Sequence, residues 1–526
     1  MLKISNLKVK VEEISKINKL IAKKLKIKEE LITDLSVIRQ SIDARDKSNI
    51  FYNCSVAIEI ENEEKYLKTK DVSIYKKVNY SIPEKGNLEI NKRPVVVGFG
   101  PSGMFAALIL AEAGYKPIVI ERGKRVDERE KDIIEFWKNG NLNEESNVQY
   151  GEGGAGTFSD GKLTTLTKDK SGRFAKVLNE FVLAGAPEDI LYKAKPHIGT
   201  DYLKLVVKNI REKIINLGGE IVFSSKLTDI DITDGKISSI EINNDKKINT
   251  DVLMLCIGHS ARDTFEMLYD KNINIEQKDF SVGVRIEHPQ DLINESQYGD
   301  FADSLPAAEY KLVHHEEDRS AYTFCMCPGG KVVASASEEN MVVTNGMSEY
   351  KRDSENANSA LLVGVKKDDF ASIHPLAGMY FQRELEKKAF ELGGKNYNAP
   401  AQLVGDFLND KASIRLGKVK PTYEPGIKLT NLSECLPDYV VETMRKALTN
   451  MGRKLKGFDM DDAIMTAVET RTSSPVRITR NEINQTNISG IYPVGEGAGY
   501  AGGIMSAAVD GMRMAESVIK LYLYKK

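Results

Sequence analysis

Two thiols one residue apart, Cys325 and Cys327 in "YTFCMCPGGKVV", are a pair whose type and spacing suggest chemistry. On a strand, residues i and i+2 point to one face. A C-x-C disulfide is strained and easily reduced, so the pair is a candidate redox centre. The alternative is two small side chains packed ahead of a turn. Pro328-Gly329-Gly330 makes that turn, and its backbone could approach a ligand.

"VETRTSSPVRITRN" sets Arg471, Arg477 and Arg480 in one short run. Guanidiniums clamp carboxylates and phosphates in two-point fashion, and Arg471 is the candidate for the site. Salt bridging between domains is the competing use. Among the 6 histidines, His197 in "KPHIGTD" and His374 in "SIHPLAG" lie in turn-like segments and could move a proton. No histidine has metal-ligand spacing with a cysteine, so no metal site is expected.

"YGEGGAGTFSDGKLTT" gathers Gly151, Gly153, Gly154, Gly156 and Gly161. Such density suggests bare backbone lying against a flat ligand. Thr157, Ser159, Asp160 and Lys162 could add polar contacts.

The strongest motif is Gly98-x-Gly100-x-x-Gly103, after Val95-Val96-Val97 and before a helical run. The first glycine permits the turn, the second admits a pyrophosphate, and the third lets helix pack on strand. The phosphates then meet the free N–H groups of the helix N-terminus. Glu121 ends the next strand, where an acid binds ribose hydroxyls. A carboxylate there would repel a 2′-phosphate, which leaves NAD or the ADP half of FAD. Near the C-terminus, Gly495-Glu496-Gly497 follows the strand "GIYPV", and Gly502-Gly503 opens another helix. This second turn favours FAD.

The elements that must position these residues fall into four spans. Residues 1–90 read as a small α+β domain, with "LKISNLKVKVEE", "LSVIRQSIDAR" and "FYNCSVAIEI" as strands. Residues 91–268 open with the βαβ unit and form the first part of a nucleotide-binding domain. Residues 269–455 read as a substrate domain of antiparallel sheet and helices, and 456–526 return to the nucleotide-binding domain. The fold class is α/β: a Rossmann-type domain, a mixed α+β substrate domain and the small N-terminal unit.

Bulk composition narrows the partners. Formal net charge is -2, which gives no electrostatic reason for a nucleic-acid or membrane partner. "MLKISNLKVKVEE" has no apolar core of a signal peptide, and no apolar run is long enough to span a bilayer. The 5 cysteines in 526 residues make no disulfide framework. A cytoplasmic protein with reduced thiols and a small-molecule substrate is expected.

The segments "VVVGFGPSGMFAALILAEAGYKPIVIERG", "TDVLMLCIGHSARDT" and "GIYPVGEGAGYAGGIMSAAVDG" together resemble the glutathione-reductase-type FAD fold. With "YGEGGAGTFSDGKLTT", "KPHIGTDYL", "YTFCMCPGGKVVASASEEN", "NGMSEYKRDSENANSALLV", "APAQLVGDFL" and "VETRTSSPVRITRN", the chain resembles a bacterial family of FAD-dependent dehydrogenases with an extra N-terminal domain. The likeness covers nearly everything after residue 90. It implies FAD binding and oxidoreductase activity, with no substrate specified. It also implies that Gly98, Gly100, Ser102, Gly103, Glu121 and Arg122 hold the ADP half. Leu227 would touch adenine through its backbone, and Gly258 would pass near the pyrophosphate. Gly495, Glu496, Gly502 and Gly503 would take the pyrophosphate, ribityl chain and flavin. Gly153, Gly154, Gly156, Thr157 and Lys162 would lie along the flavin ring. Glu496 stands where many such proteins have Asp. No second glycine fingerprint is present, so NAD(P)H is expected at most as a transient donor. Two other readings are a flavoprotein acting on RNA through residues 1–90, whose composition is mildly basic, and a flavin-binding sensor without turnover.

Overall fold

The structure is a computed structural model that describes residues 1–165, 170–316 and 318–525. The central element is a five-stranded parallel sheet in the order Ile491–Pro493, Leu253–Leu255, Val95–Val97, Ile118–Ile120, Glu220–Val222. Val95, Val96 and Val97 are buried on both faces, as an interior parallel strand must be. Helices Pro101–Glu112 and Ile504–Leu521 cross over this sheet and share its apolar core. A three-stranded antiparallel meander, Leu227–Thr233, Lys236–Ile242 and Lys246–Asn249, packs nearby.

The second layer system is a seven-stranded sheet. Its order is Val313–His315, Ser320–Cys327, Asn356–Val365, Phe280–Pro289, Ile464–Glu469, Ala399–Leu403, Ile427–Leu429. All neighbours are antiparallel except the last pair. Helices Ala377–Gly393 and Asp438–Lys454 contribute buried residues to the largest apolar core. This topology corrects one expected boundary. Ile464–Glu469 was expected to lie in the nucleotide-binding span beginning at 456, but it is an interior strand of the large sheet, so the chain leaves that sheet only after residue 469. A strand's partners are chosen by register with residues far away in sequence, which the local pattern did not reveal.

Residues 1–90 include a four-stranded sheet in the order Asp34–Asp43, Phe51–Glu59, Leu2–Lys10, Val72–Ile74. Helix Ile17–Leu25 covers one face with Ile17, Ile21 and Leu25, an i, i+4, i+8 stripe. The outer strand Asp34–Asp43 is not left open. Gln40 donates its N–H to Tyr192 O (2.8 Å) and accepts from Ala194 N (2.8 Å). The segment it grips continues to His197, which bridges to Lys162. Leu163 N bonds Pro196 O (2.9 Å), and Gly199 N bonds Asp160 O (3.2 Å). A continuous backbone ladder therefore runs from the N-terminal sheet into the glycine-rich loop.

That ladder is testable at one atom. Proline is tolerated on an edge strand whose N–H faces outward, so Gln40→Pro spares the four-stranded sheet and removes the bond to Tyr192. Amide-exchange protection at Ala194 is expected to fall, while protection at Val56 and Ile58 persists. Unchanged exchange at Ala194 would refute this coupling.

Candidate functional site

One cavity of about 370 Å³ runs between the parallel sheet and the large sheet. Gly98, Gly100, Ser102, Glu121, Arg122, Leu227, Gly258, Glu496, Gly502 and Gly503 line it, together with Gly154, Gly156 and Lys162. Phe324, Cys325, Cys327, Asn345, Glu469, Arg471 and Thr472 also belong to its wall. The sequence candidates thus converge on one space, with exceptions described below.

The glycine turn leaves Val95–Val97 through Gly98 at φ +96° and opens helix Pro101–Glu112 at Gly100. A Cβ on Gly103 would stand 1.9 Å from Gly98 O, so only glycine lets helix and strand approach this closely. Glu121 is buried. Its Oε2 accepts from Phe99 N (2.8 Å), and its Oε1 accepts from Gly123 N (2.9 Å) and Gly151 N (2.9 Å). The acid therefore ties three loops together, with lone-pair capacity left on Oε2. At the other turn, Asp510 accepts from Gly495 N (2.8 Å) and pairs with Arg480 (2.6 Å). His259 Nδ1 lies 3.3 Å from Glu496 Oε1, which gives the longer Glu arm a neighbour.

The glycine-rich loop owes its shape to Arg129. This side chain is fully buried and donates to four backbone carbonyls: Asn147 (2.8 Å), Val148 (2.8 Å), Glu152 (2.7 Å) and Gly154 (3.0 Å). Burial pulls its pKa down to about 10, against the pull of Glu121 and Glu152. Glu152 itself takes Arg211 (2.8 Å) and Val126 N (2.8 Å). The loop is thereby pressed on the first turn, where a Cβ on Gly154 would stand 2.9 Å from Gly100 Cα, at φ +63°.

Several expected ligand contacts are otherwise engaged. Gly153 and Thr157 lie behind the wall: Gly153 N bonds Phe99 O (2.9 Å), and a Cβ there would meet Thr157 Oγ1 at 2.1 Å. Arg122 is held by Glu145 (2.7 Å) and Asp263 (3.0 Å) and lies 4.0 Å over the Tyr150 ring. Lys162 pairs with Asp160 (3.1 Å) and Glu309 (3.4 Å). His197 is not on the cavity wall. Its Nε2 meets Tyr350 O (2.9 Å), its ring stacks on Tyr350, and burial lowers its pKa. It braces the ladder and does not face the cavity.

Arg471 corrects the clamp expectation. It is buried and bonded to Glu386 (2.8 and 3.0 Å) and Ser337 (2.5 Å). Arg262 holds the same Glu386 (2.7 Å) and also Glu338 (2.5 Å). The guanidinium is a strut between nucleotide-binding and substrate layers, because a buried charge must spend its donors on fixed partners. Arg477 points outward and Arg480 serves Asp510, so the three arginines do three separate jobs.

The cysteines also differ from expectation. Strand Ser320–Cys327 shifts register between Phe324 and Cys327, and Cys325 has φ +40°. The bulge breaks the same-face rule. Cys325 is exposed to the cavity, whereas Cys327 is buried and donates Sγ–H to Cys325 O (3.3 Å). Surrounding protein pushes the Cys325 thiol up to about 12, with Arg285 opposing, and burial raises Cys327 as well. The bulge puts the two sulfurs in different surroundings, one facing the cavity and one buried, and this geometry weighs against a dithiol relay. Among the described residues, no helix is long and apolar enough to cross a membrane and no His, Cys, Asp or Glu cluster could hold a metal.

Comparison with known proteins places this chain among relatives. It is 52% identical over 530 residues to an uncharacterized protein of Clostridium beijerinckii (strain ATCC 51743 / NCIMB 8052), covering 99% of each. The chain belongs to that protein's family. Residues 279–472 match the family model of the FAD-dependent protein, C-terminal domain-like, which ends close to where the large sheet does. Residues 1–59 match a domain of unknown function. Among solved structures, CtdE in complex with FAD is 13% identical, covers 81% of this chain and 84% of its own, and has a TM-score of 0.32. Glycine oxidase from Bacillus cereus ATCC 14579 is 10% identical, with coverage of 81% and 95% and a TM-score of 0.31.

Sequence reasoning missed Arg129, Glu152, Arg285, Asn345 and Asp510. Arg129 had a signal. Val126, Arg129, Ile133 and Phe136 are the buried positions of helix Val126–Asn139, so an arginine occupies the apolar stripe, and a buried charge needs partners. Arg129→Lys retains the charge but cannot reach four carbonyls; a loss of about 3 kcal/mol is expected from stranded buried acceptors, read as a lower urea midpoint. A shift under about 1 kcal/mol would show that the clamp is dispensable. For Cys325, iodoacetamide should label slowly at pH 7.5 and about tenfold faster per pH unit up to pH 10, because only thiolate reacts. Rapid labelling at pH 7.5 would contradict the protonated thiol.

Proposed function

We propose that this protein is an FAD-dependent oxidoreductase that passes hydride between flavin and a small-molecule substrate. The observation that carries this reading is the continuity of the cavity from the Gly98–Gly103 turn to the wall bearing Lys162 and Cys325. The matched FAD-dependent domain supports it.

The residues present fit the cofactor. Added Cβ atoms on Gly258, Gly502 and Gly503 would meet nothing within 4 Å, so the wall keeps room where a dinucleotide would lie. Helix Pro101–Glu112 presents its N-terminus, which suits phosphates. Glu121 and Glu496 offer carboxylate acceptors for hydroxyls, at opposite turns. Leu227, at the start of its strand, gives an apolar edge for adenine. Bound FAD would supply reversible hydride acceptance, chemistry that no side chain provides.

The chain's own part is positioning. Arg129 fixes the glycine-rich loop, Lys162 sets a positive charge on the cavity wall, and the large sheet closes the opposite side. With no second glycine fingerprint, an outside donor such as NAD(P)H would reach the flavin transiently, from the open side near Gly502.

The purified protein should be yellow, and anaerobic donor or substrate should bleach it. Colourless protein that takes up no added FAD would sink this reading. Gly154→Val should weaken FAD binding at least tenfold, because its side chain would push the loop off Gly100 from a conformation that L-residues avoid. Wild-type FAD affinity in that variant would remove the loop from the cofactor site.

A further inference from the structure

The substrate side of the cavity has a distinctive arrangement of acceptors and donors. Its carboxylates are committed. Both oxygens of Asp160 take Arg352 (2.9 and 2.6 Å), and both oxygens of Glu469 take Arg285. Two donors remain. One is Asn345, whose Oδ1 accepts from Arg285 Nη2 (3.0 Å) and from Gly346 N (2.8 Å). Those two bonds fix the amide's orientation, because both reach the oxygen. Its Nδ2 makes no hydrogen bond among the described residues, and the side chain lines the cavity. The other is Lys162, with its side chain 26% exposed on the same wall.

The charged groups of this wall are not equally available. Ion pairs link Lys195 to Glu309 (2.5 Å), Glu309 to Lys162 (3.4 Å), Lys162 to Asp160 (3.1 Å) and Asp160 to Arg352 (2.6 Å). Of these groups Asp160 and Lys162 line the cavity; Asp160 spends both oxygens on Arg352, so the charge left facing the space is the Lys162 ammonium, and Arg285 with Glu469 adds none. A wall that faces the cavity with an ammonium and an oriented, unused amide N–H selects an anionic oxygen.

We infer that Asn345 and Lys162 form a carboxylate subsite, so the substrate is a small carboxylic acid held as its anion. One carboxylate oxygen takes the Asn345 N–H and the other faces the Lys162 ammonium. Arg285 is a positioning residue: it spends its donors on Glu469, Asn358, Cys325 O and Asn345, and so turns the amide's nitrogen to the cavity. Cys325, on its bulge, lines the space beside them. This inference rests on the oxidoreductase reading of the cavity and names its substrate class.

The test is a calorimetric titration of full-length protein, supplied with FAD, using benzoate, benzyl alcohol and benzylamine as probes. Benzoate should bind, with benzyl alcohol and benzylamine at least tenfold weaker. Asn345→Asp keeps the acceptor for Arg285 and replaces the free N–H with a negative oxygen; it should weaken benzoate at least tenfold. Lys162→Met should do the same, and FAD affinity of Asn345→Asp should match wild type. Benzylamine binding as tightly as benzoate, no benzoate binding, or wild-type benzoate affinity in Asn345→Asp would each overturn the subsite. The heat of benzoate binding is read whether or not the protein is yellow. Failure to take up FAD therefore counts against the proposed function, and failure of benzoate against the subsite.

Discussion

The site depends on one buried guanidinium. Arg129 has no solvent contact and no single dedicated carboxylate; it is solvated by four carbonyls of one loop. Taking a charge out of water costs several kcal/mol unless its donors are fully engaged. The loop must therefore curl around the arginine, and the shape that satisfies Arg129 is the shape that places Gly154 on the first glycine turn. Glu121 enforces the same closure from the other side by accepting Gly151 N and Phe99 N. Loop and turn are one unit because two buried charges share them.

The substrate layer repeats this logic with different parts. Arg285 faces Glu469, and Glu386 is shared by Arg262 and Arg471. The Arg285–Glu469 pair joins neighbouring strands of the large sheet, the Glu386 cluster reaches across to Arg262 on the nucleotide-binding side, and each is paired as buried ions must be. What they leave unpaired defines specificity. On the substrate side the carboxylates Asp160 and Glu469 are capped while an amide nitrogen is free, so that side offers donors.

Legibility in the sequence followed the distance over which each cause acts. The Gly98–Gly103 turn and Glu121 were readable because strand, turn, helix and acid lie within one local unit. Several wall residues were found the same way, including Gly154, Gly156, Lys162 and Glu496, whereas Gly258 came from the family resemblance. Arg471 and His197 were named for chemistry and are braces, because their partners Glu386 and Tyr350 lie far off in sequence. The cysteine pair failed for a related reason: alternation predicts one face, but a bulge set by pairing with Asn356–Val365 re-aimed Cys325. Asn345 has no local signature at all. Its value comes from Arg285, on another strand, turning its amide.

The order of the parallel sheet carries a consequence for biosynthesis. Ile491–Pro493 pairs with Leu253–Leu255, which pairs with Val95–Val97. The glycine turn is thus translated early, but the strand that completes its sheet and the Glu496 turn leave the ribosome much later. Residues 1–74, by contrast, complete their four-stranded sheet among themselves. The small domain can close while the rest is still being made, and the nascent nucleotide-binding half must wait with strand Leu253–Leu255 unsatisfied on one edge. Dinucleotide capture is then a post-translational event, and the interval before it is when this chain is most open to misassembly.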